Sequence, residues 1–186
     1  MIFYLFLIII IVQRVSELLI ARRNEAHMKS MGGEEHCRDH YPLIVAVHLL
    51  FLLSFTLEVI VLNKEVSPLW MIILPIILIT QVIRYWAVFS LGTFWNTKII
   101  IVPDLEVVAK GPYRFMRHPN YLVVAVEILF LPIFFQAYAT AILFTVLNAA
   151  ILTIRIPAEE KALMQHTDYK KSFINKKRFI PGKEEP

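Results

Sequence analysis

The chain has 186 residues, 58% of them hydrophobic, a formal net charge of +4, five glycines and one cysteine. That is too apolar for an ordinary soluble domain, and long enough for one compact unit rather than two. The surplus Lys and Arg fit the cytoplasmic loops of a multi-span membrane protein better than a nucleic-acid partner, and Cys37 alone makes no internal disulfide.

The first apolar run, 2–20, lacks a basic leader and ends at Ala21-Arg22-Arg23-Asn24 without a small-x-small cleavage pattern, so it reads as a retained span. Further runs cover 43–62, 69–89, 119–136 and 138–156. Each approaches the roughly 20 helical residues that a hydrocarbon core of about 30 Å takes. The expectation is an all-α membrane protein with about five transmembrane helices and a tail over 157–186. Arg14 and Glu17 in the first span form an i, i+3 ion pair, structural or functional; Arg84 is expected to snorkel; Glu58 and Glu127 need partners.

The loops fall into two kinds. The connections at 63–68 and 136–138 are short, with Lys64 their only cation. The stretches 21–42 and 90–118 carry Arg22, Arg23, Lys29 and Arg38, then Lys98, Lys110, Arg114 and Arg117; the tail carries Lys161, Lys170, Lys171, Lys176, Lys177, Arg178 and Lys183. The positive-inside rule places these three in the cytosol and the N-terminus outside. His36 and His40 lie near Cys37, but four zinc ligands at a recognised spacing are not present, and the segment reads as a solvated loop. Lys98–Val102 and Leu105–Val108, β-branched runs about the Pro103-Asp104 corner, predict a hairpin or extended flap. The basic and aromatic tail reads as an interfacial segment on anionic lipid, or as a cover closing over a ligand.

Because only a short corner separates the last two spans, the start of one must lie beside the end of the other. The start reads Gly111-Pro112-Tyr113-Arg114-Phe115-Met116-Arg117-His118-Pro119-Asn120-Tyr121 and the end reads Arg155-Ile156-Pro157-Ala158-Glu159-Glu160. His118, Tyr121, Arg155, Glu159 and Glu160 are therefore expected at one depth. Pro119 suits a first helical position, and the free amides of that turn suit an anion. His118 and Tyr121 add donors, while Glu159 or Glu160 can accept from a ribose hydroxyl or an ammonium group.

Gly-x-Tyr, then Arg-His-Pro-x-Tyr, then a span ending in Arg and a Glu-Glu pair resembles the isoprenylcysteine carboxyl methyltransferase family. The related phospholipid methyltransferases share much of the pattern. The likeness is strongest from Leu91 to Phe173, and the N-terminal half resembles the family's short bacterial branch through Arg14-Val15-Ser16-Glu17 and His40-Tyr41-Pro42. It implies an S-adenosylmethionine cofactor held by Tyr113, His118, Pro119, Asn120, Tyr121 and Glu159, with Leu105, Val107 and Val108 along its adenosine and Lys98 nearby. Arg155 would face the substrate and hold its anionic oxygen. Arg155 and Glu160 are the candidate catalytic residues, and no metal is called for. Many members have glycine two residues beyond the motif tyrosine, where this chain has Val123.

The function expected is O-methylation of a carboxylate or acidic hydroxyl on a lipophilic acceptor from the bilayer, prenylcysteine-like or a long-chain alkylated pyrone or phenol. Arg155 would pair with the acceptor's anion in a low-dielectric site. The alternatives are an NADPH-dependent membrane reductase related to sterol reductases, whose chains have many more spans, and a non-enzymatic membrane scaffold.

Overall fold

The structure, a computed structural model, describes residues 1–103, 105–173 and 176–180. The elements are α1 (Ile2–Ser30), β1 (Glu34–His36), α2 (His40–Val61), α3 (Trp70–Leu91), β2 (Ile99–Ile101), α4 (Pro119–Phe134), α5 (Tyr138–His166) and α6 (Tyr169–Phe173). Four of them, α1, α2, α3 and α5, are long and apolar enough to cross a membrane. α4, expected as a fifth span, is a shorter apolar helix of 16 residues. At the helical rise that is about 24 Å, less than the roughly 30 Å of a hydrocarbon core. Pro119 opens it, and Gln136, at φ 56, turns the chain directly into α5.

Two helices run well past their apolar segments. α1 continues to Ser30 because Ala21, Asn24 and Met28 make a buried stripe at helical spacing. Asn24 donates through Nδ2 to the carbonyls of Gly92 (3.1 Å) and Trp95 (2.7 Å). α5 continues through Pro157 to His166. Its extension is held from outside: Ala162 packs on Ile99 and Ile101, and Leu163 against Tyr113, Tyr169 and Phe173. Arg155, Glu159 and Glu160 thus ride on one rod.

The expected hairpin does not form. β2 pairs antiparallel with β1, Glu35 opposite Ile100, while 105–110 has no strand. Three consecutive isoleucines, all buried, find a partner edge in the loop before α2, and Lys98 ties that edge down through Glu35 (3.4 Å) and Glu25 (3.0 Å). The 34–40 segment is therefore in part a strand rather than a solvated loop. Asp104 of the expected corner and Lys183 of the basic tail lie outside the described residues.

At the end of the bundle away from β1 and β2, Phe3, Phe55, Phe134 and Phe135 form a buried aromatic cluster. There the Glu58 carboxylate of α2 accepts from the Ala139 and Thr140 amides (3.2 and 2.7 Å) and from the Thr140 hydroxyl (2.6 Å). It satisfies the free first-turn N–H groups of α5, where a negative charge also meets the positive end of the helix dipole.

Midway along the bundle four charges join α1, α3 and α4. Arg14 contacts Glu17 (2.9 Å) and Glu127 (2.5 Å); Arg84 contacts Glu17 (2.8 Å) and, through Nε, Glu127 (2.8 Å), with a second bond to Glu127 from Nη2. Gln81 donates to Glu127 (2.7 Å) and accepts from Gln13 (2.8 Å). Arg84 is 2% exposed, so it does not snorkel. It has two carboxylates within reach at its own depth, and extending toward a headgroup would leave both short of a partner.

Candidate functional site

Gly92 ends α3 at φ +55 and sends the chain into a 3-10 turn ahead of Trp95, Asn96 and Thr97. Gly111 has the same φ, and a Cβ there would lie 1.9 Å from Ser90 Oγ, so only glycine lets the turn carrying Tyr113 abut the end of α3. These two corners bring the 95–97 segment and the 113–121 segment against α5.

Tyr121 donates its hydroxyl to Glu159 Oε2 (2.5 Å) and accepts from Arg155 Nε (3.2 Å). Arg155 Nη2 donates to the Thr97 carbonyl (3.1 Å). His118 Nε2 lies 3.0 Å from Glu160 Oε1, and Glu160 is also bonded by Arg178 (2.6 Å) and faces Arg117 (3.6 Å). The five side chains expected at one depth are thus joined in two groups, Arg155–Tyr121–Glu159 and His118–Glu160.

Two cavities lie on either side of the first group. One, of about 200 Å³, is lined by Lys98, Leu105, Val107, Val108, Tyr113, His118, Asn120, Tyr121, Arg155 and Glu159. The other, of about 230 Å³, lies among α1, α2, α3, α4 and α5 and is walled mainly by Ile44, Leu49, Leu52, Val124, Ile128 and Ile151, with the four-charge cluster on one side. Trp95, Thr97, Asn120, Tyr121 and Arg155 line both. They form a common wall between a mixed polar chamber and an apolar one.

Two of the residues singled out in the sequence lie off these linings. Pro119 is fully buried as the first residue of α4 and serves the backbone there. Glu160 is 4% exposed and committed to His118 and Arg178. The tail explains this: the Arg117 and His118 amides donate to the carbonyls of Lys177 and Arg178 (3.0 Å each), and Lys176 Nζ donates to the Tyr113 carbonyl (3.1 Å). Residues 176–178 strap the motif rather than lie out as an interfacial segment, and Glu160 fastens that strap. Val123 is 2% exposed, so the valine is accommodated inside the packing of α4.

Trp95, Thr97, Leu163, Tyr169 and Phe173 also line the first cavity, and nothing in the sequence reading marked them. Gly92 followed closely by Phe94-Trp95-Asn96 was the available signal, an aromatic corner just past a span. Burial, and then the Glu159 charge, push the Tyr113 phenol above its ordinary value; burial, with Glu160 and Glu159 adding, does the same to Tyr169. Both stay protonated near neutrality and so keep a proton to donate. The hydrogen bond to Glu25 raises Lys98, which lines the cavity as a committed cation.

Residues 71–165 match the isoprenylcysteine carboxyl methyltransferase family. The chain is also similar to the uncharacterized protein YpbQ of Bacillus subtilis (strain 168), 49% identical over 165 residues, which is 89% of this chain and 98% of that one. An uncharacterized protein of Haemophilus influenzae (strain ATCC 51907 / DSM 11121 / KW20 / Rd) is 26% identical over 151 residues, 81% of this chain and 88% of that one. With its bundle of apolar helices and its match over the motif-bearing half, the chain belongs to the isoprenylcysteine carboxyl methyltransferase family and is an integral membrane protein of methyltransferase type.

Proposed function

We propose that this protein transfers a methyl group from S-adenosylmethionine, bound in the chamber beside the motif, to an anionic oxygen of a lipophilic acceptor in the chamber among the helices. The observation that carries the reading is the common wall: two cavities of different polarity meet at Tyr121, Arg155 and Asn120. A polar donor and an apolar acceptor need separate approaches and one point of contact, and this wall supplies it.

The residues present suit such a cofactor. The Tyr169 hydroxyl and Asn120 Oδ1 are buried with no partner among the described residues, one a donor and the other an acceptor, and both belong to residues of the first chamber. Glu159 supplies a carboxylate for a ribose hydroxyl or an ammonium group, while Leu105, Val107 and Val108 offer an apolar side for a purine. When bound, S-adenosylmethionine supplies an electrophilic methyl on a sulfonium, which leaves as a neutral thioether as the acceptor oxygen bonds to carbon.

The chain's own part is alignment and charge. Arg155 is fixed by the Tyr121 hydroxyl and the Thr97 carbonyl, which leaves Nη1 unpartnered among the described residues and able to hold an oxyanion. Tyr121, gripped by Glu159, orients that guanidinium and spans the wall. Burial excludes water from the transfer, so proximity and a fixed cation suffice without a general base for a carboxylate. An acidic hydroxyl would reach its anion through the same cation. His118 and Glu160 hold the motif to the tail and act as positioning residues. On this reading the motif end and the tail face the cytosol, as the distribution of Lys and Arg favours.

The test is thermal stabilisation of the purified protein. S-adenosylhomocysteine at about 100 times its dissociation constant is expected to stabilise it by roughly 2.7 kcal/mol, with NADPH inert. A shift with NADPH and none with S-adenosylhomocysteine would turn the reading to a reductase; no shift with either would favour a scaffold.

A further inference from the structure

Trp95 is 2% exposed and packs its ring against Ala21, Val88 and Leu91. A phenylalanine would serve that packing. The part of the side chain that packing leaves unexplained is the indole N–H, which is buried and has no hydrogen-bond partner among the described residues. Its surroundings are rigid: the Trp95 carbonyl accepts from Asn24 of α1 (2.7 Å), and two residues on, the Thr97 carbonyl accepts from Arg155 of α5 (3.1 Å).

The company it keeps is specific. The unpartnered buried polar atoms include Trp95 Nε1, Arg155 Nη1 and Asn120 Oδ1, and all three residues line both chambers. Three of the six such atoms among the described residues thus sit on the wall between the chambers; the others belong to Tyr169 in the first chamber and to His40 and Thr145, which line neither. Indole and guanidinium are donors only and accept nothing. What satisfies both at once is a group with acceptor lone pairs and no proton to spare.

We propose that Trp95 is a second hydrogen-bond donor to the acceptor's anionic oxygens, paired with Arg155 across the wall. This rests on the methyltransferase reading and narrows it to acceptors offering two acceptor positions close together. A carboxylate has two oxygens on one carbon, and the ionised oxygen of a hydroxypyrone carries lone pairs enough for both donors. The charged donor neutralises the anion, and the uncharged one fixes which oxygen is turned toward the methyl.

The decisive measurement uses the full chain in lipid nanodiscs, with ¹⁵N-labelled indole and saturating S-adenosylhomocysteine. Trp95 is distinguished from Trp70 and Trp86 by loss of its signal in Trp95→Phe. The probes are a long-chain fatty acid, an S-farnesylated N-acetylcysteine and a long-chain alkyl hydroxypyrone. The Trp95 Nε1–H resonance is expected to move downfield with at least one of them and to stay in place with the corresponding methyl ester or ether. A Trp95 signal unmoved by all three overturns the proposal.

Turnover gives the second readout. For a probe that the wild type methylates, Trp95→Phe should lower kcat/KM about tenfold, the scale of one hydrogen bond to a charged group. Stabilisation by S-adenosylhomocysteine should persist in the variant. Wild-type turnover in Trp95→Phe overturns the Trp95 assignment and leaves the methyltransferase reading standing. Absence of S-adenosylhomocysteine stabilisation in the wild type is the separate failure of that reading.

Discussion

The molecule contains two polar regions at different depths, and they are built on opposite principles. In the cluster of Arg14, Glu17, Arg84 and Glu127, two cations and two carboxylates are paired side by side, with Gln13 and Gln81 attached. At the wall of Trp95, Asn120 and Arg155 each side chain keeps a buried polar atom unpartnered among the described residues. A self-satisfied cluster holds helices together; an unsatisfied one waits for a ligand. Arginine and amide side chains alone do not separate the two, since both regions contain them. What separates them is the balance of donors and acceptors.

This contrast breaks most clearly at the two arginines. Arg155→Ala should reduce methyl transfer by at least two orders of magnitude while stabilisation by S-adenosylhomocysteine persists, measured with labelled donor and the same protein preparation. If cofactor affinity fell while kcat at saturating cofactor stayed normal, Arg155 would serve the first chamber instead. Arg84→Met should act on folding, costing about 3–5 kcal/mol because two buried carboxylates are left to share the single cation of Arg14. A thermal or denaturant midpoint in detergent checks it. The double variant Arg84→Met/Glu127→Leu should recover much of that loss, and a strictly additive result would mean that the cluster is not a unit.

Smaller effects sharpen the picture. Tyr121→Phe removes the hydroxyl that both Glu159 and Arg155 use. It should lower kcat about tenfold through a misplaced guanidinium, with a smaller change in cofactor affinity. Equal loss in both would place Tyr121 chiefly against the cofactor. Glu58→Gln, far from either region, should cost about 1 kcal/mol of stability by weakening the cap on α5, with turnover per folded molecule unchanged.

Much of this architecture was legible in the chain because it follows from local composition. Apolar runs located α1, α2, α3 and α5, and the short corner before Tyr138 required Tyr121 and Arg155 to meet. What could not be read depended on partners distant in sequence. The isoleucines of 99–101 were placed in a hairpin with 105–108 because that was the nearest β-branched run, whereas they pair with Glu34–His36 across the bundle end. Glu160 looked as available as Glu159, its neighbour, until the strap of 176–178 supplied Arg178 and turned it away. Trp95 carried no motif; its meaning lies in an N–H that nothing among the described residues accepts from.

The charged cluster has a consequence for how the protein is made. α1 brings Arg14 and Glu17 into the membrane first, and Arg84 and Glu127 arrive only with α3 and α4. Each ionised side chain held at the centre of a lone span costs about 2.5–3.5 kcal/mol to insert. The ion pair within α1 lessens that cost, but Arg84 and Glu127 each arrive on a helix with no charged companion of its own. The later helices are therefore best stabilised by docking onto α1 as they leave the insertion machinery. A ribosome stalled before α4 is complete would leave Arg84 sharing a single carboxylate with Arg14, and such a nascent chain should be a favoured target of membrane quality-control proteases.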